Sequence, residues 1–185
     1  MKKLLIALLL IIFFCGSTIA ESNNRNAELN KLFNLLKESK DSFVANNIEI
    51  KIWNIWSTHP TQEELTTLLA VGSKLMSNGK LKSAYNIFSE IIKSSPDWAE
   101  GWNKRATVLY LMGYYSESLS DIDETLKLER RHFGALSGKA LVQIELKNYE
   151  DAISSYKAAQ KIYPSIRGAR IMIPQLQELI DKEAI

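Results

Sequence analysis

The chain has 185 residues and a formal net charge of +2, from 23 basic and 21 acidic side chains. That length holds one domain plus a short targeting segment. The near balance of charge argues against a nucleic-acid partner, which would call for a basic excess or stripe, and a single cysteine excludes an internal disulfide.

Residues 1–20 read as a secretory signal. Met1-Lys2-Lys3 is a short positive region, Leu4 to Phe14 is an uncharged apolar run, and Thr18-Ile19-Ala20 has the small-x-small form of a cleavage site. The run is shorter than the roughly 20 apolar residues of a spanning helix. Cleavage after Ala20 removes Lys2, Lys3 and Cys15, leaving 165 residues with 21 basic against 21 acidic groups and no thiol. The expected product is exported, and periplasmic if the source is Gram-negative. The alternative is an uncleaved chain anchored by residues 4–14, which would be its only tie to a membrane. A lipid-modified Cys15 is disfavoured by the bulky Phe14 before it.

Residues 21–26, "ESNNRN", read as a flexible leader. Over 27–57, Leu29, Leu32, Phe33 and Leu36 fall on one helical face, as do Ile48, Ile52, Ile55 and Trp56. The spacing predicts a helical hairpin, packed as an N-terminal cap before the segment that starts at Leu65, with Trp53 and Trp56 sealing that end.

A repeat begins at Leu65. Pro96 and Pro164 lie 68 residues apart, and the chain falls into three rows of 34: 65–98, 99–132 and 133–166. The fourth column holds Leu68, Trp102 and Leu136, and the eighth Gly72, Ala106 and Ala140. The twentieth holds Ala84, Ser118 and Ala152, and the twenty-fourth Phe88, Ile122 and Tyr156. Small residues at the eighth and twentieth columns let helices A and B of one row approach closely, and large ones fill the space around that crossing. Asn78-Gly79, Gly113 and Lys147-Asn148 mark the turns between the helices. Thr61 to Glu64 and Asp97 to Glu100 read as capping boxes at helix starts. Residues 167–185 predict a closing helix that Pro174 starts or kinks, covering the open end of the array.

These columns resemble the tetratricopeptide repeat (TPR) family over Leu65 to Ile166. Arg130 stands where that family favours proline, Gln143 replaces a large apolar residue, and Arg105 occupies a usually apolar column. "AEGWNKRATVLYLMGYYSESL" and "HFGALSG" resemble short exported TPR proteins of alphaproteobacteria, a likeness that brings no activity with it. The resemblance implies an all-α, right-handed solenoid of three helix-turn-helix repeats with capping helices at both ends.

Chemistry has little to build on. His59 and His132 lie far from any metal-ligand spacing and fit capping or packing roles. No glycine-rich phosphate loop or G-x-S-x-G is present. "SDIDE", Ser120 to Glu124, reads as a solvated face, as does the mixture of Lys127, Arg130 and Arg131 with neighbouring acids. Trp102 and Tyr115 read as repeat packing. The expectation is no catalytic residue, no metal, no cofactor and no nucleic acid.

The family resemblance implies a protein or peptide partner in the concave face lined by helix A of each row. Its exposed positions map to Thr66, Leu69, Ser73 and Met76; to Asn103, Lys104, Thr107 and Tyr110; and to Ser137, Gly138, Leu141 and Ile144. Asn103 offers paired hydrogen bonds, Lys104 a positive charge and Tyr110 an apolar face with a polar tip. Ser73, Ser137, Gly138 and Leu141 complete the expected groove. Some TPR co-chaperones clamp a C-terminal carboxylate from positions matching Leu69, Ser73, Lys104, Gly134 and Gly138. Only Lys104 is basic there, so that clamp does not carry over. The expected function is a non-enzymatic interaction module. The alternatives are an assembly subunit of a cell-envelope complex, or a membrane-anchored scaffold.

Overall fold

The computed structural model describes residues 24–183, and the signal assigned to residues 1–20 lies outside them. The described residues form nine helices. They are α1 (24–38), α2 (Ser42–Ser57), α3 (Glu63–Ser77), α4 (Leu81–Ser94), α5 (Ala99–Leu111), α6 (Tyr115–Leu128), α7 (Phe133–Glu145), α8 (Tyr149–Ile162) and α9 (Arg167–Glu183). The fold is all-α among the described residues, a solenoid of stacked helical hairpins. Helices α3/α4, α5/α6 and α7/α8 pair as hairpins that stack in chain order, and α9 packs on α8.

The small-residue columns act as their volumes require. A Cβ on Gly72 would lie 2.6 Å from Phe88 Cε1, so only glycine lets α3 meet α4 there. The corresponding Ala140 and Ala152 are fully buried. Ser118 is also fully buried and donates to the Ala106 carbonyl at 2.8 Å, which satisfies its hydroxyl. Two substitutions in the repeat pattern are absorbed by pairing. Gln143 accepts from Ser155 Oγ at 2.6 Å. Arg105 makes a two-point bond to Asp121, at 2.7 and 2.8 Å, and reaches Ser89 of the preceding row. Asp121 is therefore buried, not part of a solvated face: the cation at the usually apolar column draws it inward. The turns place Gly79 and Gly113 at φ 72° and 80°, and Lys147 at φ 60°. All three are left-handed, and only the third holds a side chain that resists it.

Three local expectations are corrected. Residues 24–26 are helical, not a loose leader, because Arg25 donates to the Ile55 carbonyl and ties the start of α1 to α2. Neither capping box forms. No side chain caps α3 from Gln62 or α5 from Trp98. His59 Nδ1 takes the Thr61 and Gln62 amides instead, at 3.2 and 3.0 Å, and Glu100 turns into the core. Pro174 does not start α9, which begins seven residues earlier at Arg167; of the two readings only a proline within the helix remains.

The largest departure is the seat of the N-terminal hairpin. It does not stack before row one. Leu29, Leu32, Phe33, Leu36, Ile48, Ile52 and Trp56 share one apolar core with Phe133, Tyr156, Tyr163 and Leu176 of the last row and closing helix. Helix α1 passes the α6–α7 turn, where Arg131 donates to Asn30 Oδ1 at 2.6 Å and lies 4.4 Å over the Phe33 ring. Periodicity identifies the buried faces of the hairpin but not the surface that receives them.

Candidate functional site

The concave face is built from one side of α3, α5 and α7. Helix α2 lies across it. Its Asn54, Ser57 and Thr58 border a cleft with Leu69, Ser73 and Lys104, and its two tryptophans fill the middle. Trp56 stacks on His132, rings 4.0 Å apart and 9° from parallel. Trp53 meets Phe133 edge-on at 5.6 Å and lies so close to α7 that a Cβ on Gly134 would stand 2.5 Å from its Cη2. Lys104 Nζ sits 5.6 Å over the Trp53 ring. Trp98 Nε1 donates to the Trp56 carbonyl at 2.9 Å, which fixes the end of α2.

Beneath the tryptophans runs a buried polar network. His132 Nδ1 accepts from the Ala135 amide at 3.0 Å and so caps α7. The proton then belongs on Nε2, which donates to Glu100 Oε2 at 3.1 Å. Asn103 Nδ2 donates to the same oxygen at 3.1 Å. Lys104 Nζ stands 3.2 Å from Oε1, close enough to pair charges although no hydrogen bond forms along that line. Burial alone would raise the Glu100 carboxyl. The hydrogen bond from His132, joined by the charge of Lys104, outweighs it and holds the group below its ordinary range. His59 is also committed: burial lowers it against the pull of Asp97, and Ser95 Oγ lies 3.0 Å from its Nε2.

Beyond Trp53 the face is open. Between α5 and α7 lies a cavity of about 190 Å³, lined by Asn103, Thr107, Tyr110, Ser137, Gly138 and Leu141, with Ile122 and Ala106 at its floor. At its far end the Tyr110 and Tyr115 hydroxyls donate to the two oxygens of Glu145, at 3.4 and 3.3 Å. Burial, with the Glu145 charge, pushes the Tyr110 hydroxyl up, so it remains a donor.

No family model matches the chain. A TPR repeat-containing protein of the alphaproteobacterium Rhizobium etli is 33% identical over 172 residues, covering 88% of this chain and 84% of that one. The chain belongs to the tetratricopeptide repeat family. Solved TPR domains share the fold at low identity. The Sgt2 domain of Aspergillus fumigatus has a TM-score of 0.63 at 14% identity, over 66% of this chain and 83% of its own. The first domain of Spaghetti (RPAP3), bound to the HSP90 peptide SRMEEVD, has 0.61 at 18%, over 63% and 93%.

The TPR positions singled out from the repeat do not stay together. Six of them line the open cavity. Ser73 and Lys104 instead face the separate cleft beside α2. Two of the expected contacts are occupied from within the TPR fold. Asn103 is buried and bonded to Glu100, and Lys104 is held between Glu100 and Trp53. Its charge is therefore not free for a ligand carboxylate. The signal for that was present, since Glu100 and Lys104 stand at the i, i+4 spacing of a helical ion pair. Glu145 is met by tyrosines of the preceding row, and His132 reaches Glu100 from the opposite end of row two, so neither contact had a local signal.

Proposed function

We propose that this protein is an exported interaction module that binds a peptide or protein segment on the open part of its concave TPR face. The observation that carries the reading is the cavity between α5 and α7: helix α2 packs over the face as far as Gly134 and stops short of it. A surface meant only for internal packing would be covered throughout. Peptide binding by the Spaghetti domain, whose fold is shared, supports the same use of the face. Both histidines are bound into helix caps and ring contacts, which favours binding over catalysis. Export rests on the apolar run and small-residue site at residues 1–20.

A photo-crosslinking side chain placed at Thr107 should capture a partner in native envelopes, whereas one at Lys157 on the outer surface should not. Capture from Lys157 alone would sink the groove reading in favour of an assembly subunit. Exposed Leu111, Tyr114 and Leu146 at the turns of rows two and three are the feature that favours that second reading. For export, a soluble protein that still begins at Met1 would exclude cleavage after Ala20.

A further inference from the structure

The chemistry of the cavity selects among segments, and this step rests on the groove reading above. Its wall is apolar, and at about 190 Å³ it exceeds the roughly 150 Å³ that admits a benzene ring into a protein core. Part of that space exists because residue 138 is a glycine. A Cβ there would meet only Ile122 Cδ1, at an ordinary 3.8 Å, and its φ is not positive. Glycine weakens a helix interior relative to alanine. Gly134, one turn earlier, is required by Trp53, but nothing in the fold requires Gly138.

The polar groups around the cavity share one property. Thr107 Oγ1 donates to the Asn103 carbonyl, Ser137 Oγ to Phe133 and Ser118 Oγ to Ala106, at 2.8 to 2.9 Å. Each hydroxyl proton is thus bound internally, and what remains on the oxygen is acceptor capacity. Asn103, which also borders the cavity, donates from its NH₂ to Glu100. Tyr110 donates to Glu145. Glu145 is exposed and makes no ion pair among the described residues. The cations of α5 and α7 are committed, Lys104 to Glu100, Arg105 to Asp121 and Lys139 to Asp123. The rim therefore accepts hydrogen bonds and carries negative charge.

We propose that the α5–α7 cavity receives one large apolar side chain of a basic peptide segment, whose ammonium or guanidinium group meets Glu145 and the acceptor rim. Acidic C-terminal segments are disfavoured at this site, since complementary potential steers partner choice and no cation of α5 or α7 is free to meet them.

The test uses the full chain labelled with ¹⁵N and decapeptides of alanine and serine carrying one phenylalanine with a lysine two residues on. Controls replace that phenylalanine by alanine or that lysine by glutamate, and SRMEEVD serves as the acidic probe. The expected result is saturable shifts at the amides of Gly138 and Leu141, with affinity at least tenfold above every control. Gly138→Leu, which fills the cavity, should abolish binding while leaving the helical spectrum intact, and Glu145→Lys should reverse the preference between lysine and glutamate peptides. Groove binding without preference for the anchor or its charge, or tighter binding of SRMEEVD, overturns the proposal and leaves the groove reading standing. Failure of every peptide to shift any α5 or α7 amide overturns both.

Discussion

Helix α7 meets two different surroundings within one turn. At Gly134 it is pressed by Trp53 so closely that no side chain fits; at Gly138 it borders empty space. The same residue type thus marks a sealed part of the concave face and an open part. A glycine column in a repeat does not say which, because the distinction depends on what crosses the groove. Here α2 decides it, by ending its cover between the two positions.

The comparison is tested most severely at Trp56. Truncating a large buried aromatic costs about 3–5 kcal/mol, and Trp56→Ala also removes the ring stacked on His132. Urea denaturation should show a loss in that range. A loss below about 1 kcal/mol would mean that α2 is a loose strap and the seal is superficial. Glu100→Gln should come next, at roughly 1–3 kcal/mol, because it weakens a buried hydrogen-bonded charge. This effect depends on pH. The Glu100 carboxyl is depressed on folding, so its contribution is complete above the ordinary value of 4.5 and is lost as pH falls through the lower folded-state value. The wild type should lose stability on acidification more steeply than the glutamine variant; parallel pH profiles would deny the network its role.

Gly134→Ala should destabilise by about 1–3 kcal/mol, the usual cost of overpacking, since the indole edge of Trp53 must move. Gly138→Ala should do the opposite, stabilising by about 1 kcal/mol through helix propensity alone. Thermal melts of the two variants side by side are the sharpest form of the comparison. Equal signs would erase the distinction between sealed and open ends.

Much of the scaffold was legible because its determinants are local or lie one repeat apart. Gly72 against Phe88 and the left-handed turns at Gly79, Gly113 and Lys147 follow from the 34-residue columns. The groove positions came from the family resemblance and not from the columns, and six of them line one cavity. What stayed hidden was the competition for them. Lys104 looks like a free cation until Trp53 arrives from 51 positions away. Glu100 looks like the last residue of a capping box until His132 draws it inward. Asp121 belonged to an acidic run, and its burial depended on an arginine at a column where the family places an apolar side chain. Each case turns on a partner that helical periodicity does not name.

Asn30 and Arg131 are bonded across 101 positions of sequence. Ordinary solenoids are held by neighbours alone, so they can loosen from either end one repeat at a time. In this chain the N-terminal helical hairpin rests on the last repeat and its closing helix. An end that would otherwise fray is pinned by the opposite end, and the linear array becomes a closed circuit. Loosening row three releases the hairpin, and releasing the hairpin uncovers the aromatic core of row three. The expected behaviour is a single cooperative transition for the whole domain, with amide exchange in α2 as slow as in α7.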